Sequence, residues 1–193
     1  ISAEINNNNK VIVVVSAMGN TTDNLVKKIK EVSTIYDATE YDAILSTGEN
    51  ISSSLMALLL QKEGINARSW QGWQIPIKTT DNHSNARILS IGTKNLKEKF
   101  LAGMQVAIIA GFQGISTNNR VTTLGRGGSD TSAVALAAAI KAERCDIYTD
   151  VDGIYTTDPR ITSNAKKLDK ISYEEMLELA SLGAKVLQTR SVE

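Results

Sequence analysis

The sequence predicts an α/β fold in which a mainly parallel central sheet is covered by helices on both faces. Continuous apolar, β-branched runs at 10–15 and 106–110 are typical of strands buried in such a sheet. These runs alternate with stretches of helical apolar periodicity, and polar or glycine-rich turns follow the strands. Ligands of such sheets bind beyond the carboxyl ends of the strands, so we expect a site at the turns.

The first half of the chain predicts the order strand, helix, strand, helix. Residues 10–15 form a strand that we expect to be buried on both faces, and a helix follows over 23–36, capped by Thr21 or Thr22. The apolar stripe of that helix consists of Leu25, Ile29, Val32 and Tyr36. The next predicted elements are a short strand over 43–46, a turn over 47–49 and an apolar helix over 51–63 that ends at Gly64.

The second half continues the alternation. The predicted elements are a strand over 65–71, an irregular hairpin or flap over 72–85, a short helix over 96–101 ended by Gly103, a buried strand over 106–110, an apolar helix over 132–142 between layers, a strand over 146–149 and a loop over 150–160. Ser172 and Glu175 form a capping box for a last helix that reaches about Leu182.

The composition excludes several classes of partner. The 193 residues suit one domain, and 21 basic residues against 21 acidic ones give no long-range field for nucleic acid or an anionic membrane. No apolar run reaches the roughly 18 residues that span a bilayer, and the first residues do not resemble a signal peptide. The single cysteine, Cys145, lies in a predicted buried strand, which suits a reducing cytoplasm and makes it a poor nucleophile. His83 is the single histidine, so we expect no imidazole metal site.

Residues 121–133, Val-Thr-Thr-Leu-Gly-Arg-Gly-Gly-Ser-Asp-Thr-Ser-Ala, are the most informative segment. Glycines let backbone N–H groups approach a ligand closely, and the helix that begins here offers unpaired donors and the positive end of its dipole. Arg126 adds a planar guanidinium suited to carboxylate or phosphate. Glycine-rich turns also occur only to reverse the chain, but the interleaved Arg126, Ser129 and Asp130 favour an anion site.

Residues 149–160, Thr-Asp-Val-Asp-Gly-Ile-Tyr-Thr-Thr-Asp-Pro-Arg, combine acids, hydroxyls, an aromatic ring and an arginine. These groups suit the ribose, base and phosphates of a nucleotide. The alternative is a structural array of Asx turns, since Asp favours turns for its own sake. The spacing does not match an EF-hand loop, and the chain contains neither a Walker A loop nor the Gly-x-Gly-x-x-Gly pattern.

Taken together, these motifs resemble the aspartokinases of the amino acid kinase superfamily. The matching segments are Ser16-Ala17-Met18-Gly19, Thr47-Gly48-Glu49, residues 110–114, residues 123–130, residues 148–160 and residues 174–193. The resemblance implies a three-layer αβα sandwich of carbamate-kinase type. It also implies transfer of the γ-phosphate of ATP to the β-carboxylate of L-aspartate, with Mg²⁺, at the start of the route to lysine, threonine and methionine.

The resemblance assigns site residues position by position. Those matching positions around aspartate are Ser16, Thr22, Glu49, Phe112, Arg126, Ser129 and Asp130. Those matching positions around ATP are Thr149, Asp150, Tyr155, Asp158, Arg160 and Lys185. Arg126, Asp130 and Lys185 are the expected catalytic residues, although Lys185 has the alternative of a solvated lysine near a helix end.

The chemistry of aspartate makes two of these roles intelligible. Arg126 can hold the α-carboxylate through two hydrogen bonds, and Glu49 can pair with the ammonium group. The β-carboxylate is already ionised at neutral pH and needs no general base. The difficulty is to bring two anions together, which requires cations, backbone donors and Mg²⁺ around the transferred phosphoryl group.

The chain departs from the aspartokinase pattern at both ends. The Lys-x-Gly-Gly loop that opens the family's domain has no match, since Lys10 precedes a strand and no glycine pair follows it. The regulatory domains that follow the catalytic domain in the family have no match either. We therefore interpret residues 1–193 as an internal portion of the catalytic domain and expect little or no kinase activity from it alone.

Two alternatives stay open. One is another enzyme of the superfamily, such as an acetylglutamate or uridylate kinase, and the other is a ligand-binding or regulatory subunit without catalysis. The expected partners are L-aspartate and MgATP, with neither nucleic acid nor membrane, and we expect a homo- or hetero-oligomer of the full-length protein.

Overall fold

The computed structural model describes residues 1–151, 153–157, 161–181 and 189–192. Runs of helices alternate with runs of strands, rather than single strands with single helices as the sequence predicts. In chain order they are α1 (Ser2–Asn6), β1 (Val11–Val15), α2 (Thr21–Val32), α3 (Ala38–Leu45), α4 (Thr47–Lys62), β2 (Ala67–Trp70), β3 (Ile77–Thr79), β4 (Ile88–Ile91), α5 (Lys94–Leu101), β5 (Val106–Ala110), β6 (Gln113–Ile115), β7 (Val121–Thr123), α6 (Gly128–Ile140), α7 (Tyr173–Ser181) and α8 (Thr189–Val192).

The first sheet is parallel and has the strand order β1, β5, β2. All five residues of β5 are buried, as its apolar run predicts. Alternate side chains of a strand point to opposite faces, and β5 uses both. Ile108 packs in one core with Leu60 of α4, whereas Ile109 packs in a second core with Leu136 of α6. The predicted α/β fold with helices on both faces of a parallel sheet is confirmed.

β1 is less buried than its sequence predicts. Its five residues are all partly exposed, although we expected a strand buried on both faces. Among the described strands β1 pairs only with β5, so it lies at the edge of the sheet and one side lacks a neighbour. A β-branched run therefore predicts the strand correctly, but not its place within the sheet.

The second sheet has the order β4, β3, β6, β7 and mixes antiparallel and parallel pairs. The hairpin expected within 72–85 is formed by β3 with β4, and it extends beyond that region to Ile91. The β6–β7 hairpin was not predicted, because 111–120 contains polar and glycine residues that are typical of loops. This hairpin carries the chain from the end of β5 to the glycine-rich segment.

The strand predicted over 43–46 is wrong, because these residues belong to α3 and to the junction before α4. The Asp37 carboxylate caps α3 by accepting hydrogen bonds from the N–H groups of Thr39 and Glu40 at 2.8 and 3.2 Å. That Asp-x-x-Glu pattern is a recognisable helix start. The turn predicted over 47–49 is also wrong, since these residues form the first turn of α4.

The helix predicted over 23–36 begins and ends earlier than expected. Asn20 is the N-cap residue of α2 and makes no capping bond with its side chain, and Thr21 is the first helical residue. Of the predicted apolar stripe only Ile29 is buried. Val32 is 90% exposed because the helix ends there and the chain turns away from the core.

The strand predicted over 146–149 is not formed, and Cys145 is exposed rather than buried. Residues 146–149 pair with no strand in the described part of the chain, and without a neighbour an extended run gains no ladder hydrogen bonds. The capping box of the last predicted helix is confirmed. The Ser172 N–H donates to the Glu175 carboxylate at 2.9 Å, and the Glu175 N–H donates to Ser172 Oγ at 3.2 Å. Leu182 lies outside the described residues.

Residues 38–62 are long and apolar enough to match a membrane-spanning helix by length and composition alone. The stretch comprises α3 and α4, which meet at Ser46. It contains the buried carboxylates of Asp42 and Glu49, both hydrogen-bonded to other segments of the fold. These contacts match helices packed inside a globular domain.

Candidate functional site

A cavity of about 550 Å³ opens where loops and helix starts converge. This volume lies within the usual range of small-molecule sites, about 300–1,000 Å³. The cavity is lined by all seven residues that the resemblance placed around aspartate, namely Ser16, Thr22, Glu49, Phe112, Arg126, Ser129 and Asp130. Other lining residues include Asp23, Tyr41, Leu45, Ser84 and Thr123. Four distant segments of sequence thus contribute to one concave surface.

The buried carboxylate of Glu49 is the most unusual group in the lining. Glu49 lies in the first turn of α4 and is 4% exposed. Its Oε1 accepts a hydrogen bond from the Ala17 N–H at 3.0 Å, in the loop after β1. Within the described part of the chain, its Oε2 is buried without a hydrogen-bond partner. Burial raises the pKa of Glu49, and the backbone N–H groups of Glu49 itself and of Ala17 oppose this only in part.

The glycine-rich segment forms another part of the wall. Gly125 and Gly127 have φ angles of +77° and +67°, which glycine adopts without a steric penalty. Gly127 is the N-cap of α6, and no side chain caps the helix start. The Gly128 N–H donates to the Gly125 carbonyl at 3.1 Å, so among the described residues the N–H groups of Ser129 and Asp130 are the ones left available to a ligand. Burial raises the pKa of Asp130.

Arg126 lies between these two glycines, and its side chain is exposed. It forms no ion pair with any residue that the structure describes. Among the residues that the structure describes, Arg126 is the only cationic side chain in the lining, which contains the carboxylates of Asp23, Glu49 and Asp130. One guanidinium among three carboxylates suits a ligand that carries both an ammonium and a carboxylate group better than a simple anion.

Phe112 is held in a left-handed conformation, with φ of +66°. Its N–H donates to Ser132 Oγ at 3.1 Å, and its carbonyl accepts from the Leu124 N–H at 2.9 Å. Ser132 Oγ in turn donates to the Gly128 carbonyl at 2.8 Å. These bonds tie the end of β5 to the start of α6, so Phe112 and the glycine-rich segment keep one relative position.

Three of the residues predicted to surround a nucleotide are described by the structure, and these three do not line the cavity. Thr149 and Asp150 are exposed, and Tyr155 forms an isolated bridge with Lys167. Asp158, Arg160 and Lys185 lie outside the described residues. The nucleotide half of the site therefore stays a prediction from sequence.

A family model described as the amino acid kinase family matches residues 1–193, the whole chain. The chain belongs to the amino acid kinase family. Within it, an aspartokinase of Rickettsia felis is 58% identical over an alignment that covers 100% of this chain and 49% of that protein. The chain thus spans about half the length of the curated relatives that it matches.

Solved structures of aspartate kinases are also similar to this chain. The chain matches an aspartate kinase from Synechocystis with a TM-score of 0.81 and 47% identity, covering 99% of this chain and 31% of that one. It matches E. coli aspartokinase III in complex with aspartate and ADP with a TM-score of 0.76 and 34% identity, covering 88% of this chain and 38% of that one. Both neighbours are kinases of aspartate by name, and one holds aspartate together with a nucleotide.

Several lining residues of this family member were missed by the sequence reasoning. Tyr41 and Leu45 belong to α3, which the sequence reasoning replaced by a strand. Ser84 belongs to the irregular segment between β3 and β4, whose position no local pattern indicates. The Asp37 capping pattern was the available signal for α3, and a helix there would have placed its residues near the start of α4.

Gln113 is a second residue that local patterns did not single out. It is 1% exposed on β6, directly after Phe112. Its Nε2 donates to the Ser46 carbonyl at 3.1 Å and to Asn50 Oδ1 at 3.0 Å. These acceptors flank Glu49 in sequence, so the amide holds the first turn of α4 against β6.

We expect Gly111→Ala to destabilise the chain by about 1–3 kcal/mol, because a larger side chain overpacks the site. A Cβ at Gly111 would lie 2.9 Å from both Cβ and Oγ of Ser129 and from Cγ1 of Val14. The substitution should therefore push the start of α6 away from β5 and weaken ligand binding in the cavity. Thermal unfolding and binding calorimetry measure the two effects.

Gly103→Ala is the matched control for this prediction. Gly103 has φ of +98° and no atom within 4 Å of the added Cβ, so alanine there strains the backbone without reaching α6. Both variants should unfold at lower temperature, but only Gly111→Ala should lose affinity. Equal affinities of Gly111→Ala and the unaltered chain would contradict the close packing at Ser129.

Proposed function

We propose that the cavity binds L-aspartate as the acceptor of an aspartate kinase, which transfers the γ-phosphate of ATP to the β-carboxylate and forms 4-phospho-L-aspartate. The observation that carries the proposal is the buried Glu49 carboxylate, whose Oε2 has no hydrogen-bond partner among the residues that the structure describes. A buried charge needs a partner of opposite charge, and the ammonium group of an amino acid supplies one. The similarity to aspartokinases over the whole chain supports the same acceptor.

The same observation separates aspartate from the acceptors of related kinases. The nitrogen of N-acetylglutamate is acylated and uncharged, and uridylate carries no ammonium group. Either ligand would leave the Glu49 carboxylate buried and unpaired, which costs about 1–3 kcal/mol or more for a charged group. The lining therefore favours a free amino acid.

In the proposed complex Arg126 holds the α-carboxylate through two parallel hydrogen bonds, and Glu49 pairs with the ammonium group. Ser129, Asp130 and the first N–H groups of α6 then lie toward the reacting end, with Ser16, Thr22 and Phe112 completing the enclosure. The β-carboxylate needs no base because it is ionised at neutral pH. The contribution of these residues is to hold an anionic nucleophile in one orientation, which is a large part of catalysis when two anions must meet.

Thr149, Asp150, Tyr155, Asp158, Arg160 and Lys185 are the proposed nucleotide residues. Among the residues that the structure describes, no group of three His, Cys, Asp or Glu side chains could hold a metal ion. At kinase sites Mg²⁺ is usually bound through the substrate phosphates, several waters and one or two carboxylates. When bound, Mg²⁺ would neutralise charge on the transferred phosphoryl group. Asp130, which is half-buried, is the lining carboxylate that belongs to the glycine-rich segment.

Titration calorimetry tests the acceptor directly. We expect the chain to bind L-aspartate and to bind N-acetyl-L-glutamate and uridylate at least about 10-fold more weakly, since each lacks the cation that Glu49 requires. Equal or tighter binding of either competitor would reject aspartate as the acceptor. Binding of aspartate without any effect of MgATP on its affinity would favour a ligand-binding subunit over an enzyme.

Three finer features stay predictions of the resemblance to aspartokinases. They are the role in lysine, threonine and methionine biosynthesis, the cytoplasmic location, and the homo- or hetero-oligomer of the full-length protein. Gel filtration with light scattering of the full-length protein measures the last of these.

A further inference from the structure

We propose that Asp42 is a positioning residue for the candidate site: its buried carboxylate joins residues 83–84 to the end of β7 and thereby holds the glycine-rich segment that carries Arg126. The inference rests on the proposed function, because it concerns the same cavity. Asp42 itself is not among the lining residues, so it acts through Ser84 and Thr123, which are.

The Asp42 carboxylate is fully buried and surrounded by donors. Thr123 Oγ1 and Ser84 Oγ donate to Oδ1 at 2.6 and 3.2 Å. The N–H groups of Ser84 and Thr123 each donate to Oδ2 at 2.9 Å, and Nδ1 of His83 lies 2.8 Å from the same oxygen. A buried carboxylate is tolerated where such donors replace its hydration, and the charge strengthens each bond.

These bonds connect segments that are far apart in the sequence. Asp42 lies in α3, His83 and Ser84 lie 41 and 42 residues later, and Thr123 lies 81 residues later. No other described carboxylate joins three such segments. The carboxylate therefore determines where the segment between β3 and β4 lies against β7.

Residues 84–86 also pack directly against the end of β7 and the glycine-rich segment. A Cβ at Gly125 would lie 3.2 Å from both the Ser84 carbonyl oxygen and Asn85 Oδ1, so the two backbones pack directly on each other. The Ala86 N–H donates to the Thr123 carbonyl at 2.9 Å and joins the same two segments. Arg126 directly follows Gly125, so this packing determines the position of the Arg126 backbone.

Other contacts hold the far end of the β6–β7 hairpin. We therefore expect the loss of the Asp42 carboxylate to affect only the end of the hairpin next to the cavity. Arg120 pairs with Glu40 of α3, and Thr117 Oγ1 donates to Asp81 at 2.7 Å. These bonds do not involve Asp42. Removal of the Asp42 carboxylate should therefore loosen residues 123–128 while the hairpin stays attached.

Limited trypsin digestion measures that loosening without any ligand. Arg126 is exposed, and cleavage of the bond after it requires the segment to open locally. We expect Asp42→Ala to speed this cleavage about 10-fold, because several buried donors lose their acceptor. Cleavage after Lys62, at the end of α4, should keep its rate and serves as an internal reference. Mass spectrometry of the fragments separates the two sites.

Two further variants separate positioning from general stability. Thr79→Val is the matched control, because it removes a buried 2.6 Å hydrogen bond between Thr79 and Thr122 without touching Asp42. It should leave cleavage after Arg126 unchanged. Asp42→Asn should restore slow cleavage, since its remaining oxygen can still accept from the N–H groups of Ser84 and Thr123.

Calorimetry with L-aspartate adds the functional readout. Asp42→Ala should lose about 10-fold in affinity, whereas Asp42→Asn and Thr79→Val should bind within about 2-fold of the unaltered chain. If Asp42→Ala does not fold, Thr123→Val removes the 2.6 Å hydroxyl bond alone and should speed cleavage after Arg126 in the same direction.

The rate of trypsin cleavage after Arg126 decides whether Asp42 positions this segment. Faster cleavage after Arg126 in Asp42→Ala or Thr123→Val, but not in Thr79→Val, supports the inference. Unchanged cleavage in a folded Asp42→Ala protein, or equal acceleration in Thr79→Val, overturns it. If the unaltered chain binds no L-aspartate, the proposed function fails, while the digestion still decides whether Asp42 positions Arg126.

Discussion

Arg126→Ala is expected to weaken L-aspartate binding about 100-fold, because two charge-assisted hydrogen bonds to the α-carboxylate contribute about 3 kcal/mol in total. Among the described residues the guanidinium is the only cation in the cavity lining and forms no ion pair, so no other described lining side chain can replace it. Thermal stability should hardly change, since Arg126 is exposed. Titration calorimetry gives the affinity.

Arg87→Ala is the control for this loss of charge. Arg87 is exposed and is not a lining residue, so its removal changes the net charge equally without altering the cavity. β-Alanine, which is aspartate without the α-carboxylate, provides a second check. Arg126→Ala should bind β-alanine as the unaltered chain does. A loss of β-alanine affinity equal to the loss for aspartate would mean that Arg126 does not recognise the α-carboxylate.

Glu49→Gln is expected to stabilise the ligand-free chain at neutral pH and to weaken its binding of L-aspartate. Burial raises the pKa of Glu49, so the fold favours the neutral acid over the carboxylate. Stability from this group is fully present below its ordinary value of 4.5 and is lost as the pH rises through the raised value. Above that range the ionised side chain is buried and its Oε2 has no partner in the described part of the chain, and an unpaired buried group costs about 1–3 kcal/mol.

Thermal unfolding across pH checks the first half of this prediction. The unfolding temperature of Glu49→Gln should exceed that of the unaltered chain at pH 7, and the difference should vanish below pH 4.5, where both side chains are neutral. Glu63→Gln makes the same change at the exposed C-cap of α4 and should show no such difference. A Glu49→Gln protein that is less stable at pH 7 would disprove the buried-charge interpretation.

Ligand chemistry checks the second half. Succinate has both carboxylates of aspartate but no ammonium group. Glu49→Gln should lose at least about 10-fold in affinity for L-aspartate, the usual effect of removing one partner of a charged pair, and should bind succinate as well as the unaltered chain does. If the affinities for both ligands fall together, Glu49 holds the shape of the cavity rather than the ammonium group.

The sequence indicates the groups that line the candidate site, but it does not indicate the residue that we propose positions them. The carboxylate of Glu49 and the guanidinium of Arg126 lie in motifs that can be recognised in the sequence, and the fold brings both to one cavity. Asp42 carries the same chemistry as any helix carboxylate, and no pattern near it indicates its partners 41 to 81 residues away. Its role became visible only from the donors that surround it.

The central strands and most helices followed from local patterns, whereas α3 did not. Residues 43–46 are short and apolar, a pattern that a strand and a buried helix share. The choice depends on the neighbouring elements: α3 packs beside α4 and β7, where its Asp42 carboxylate accepts from Thr123, and no strand in the described part of the chain pairs with residues 43–46. The opposite error at 146–149 has the same origin, since an extended run without a paired strand gains no ladder bonds.

The sequence by itself determined the α/β class, the buried strand at its centre and the chemical nature of the candidate binding groups. These depend on side-chain periodicity and type, which neighbouring residues already carry. Only the tertiary structure decided that distant segments enclose one cavity, that Glu49 is buried there with one oxygen unpartnered among the described residues, and that Asp42 supports the segment before Arg126. Burial and hydrogen-bond partners are properties of contacts across the whole chain, so they exist only once it has folded.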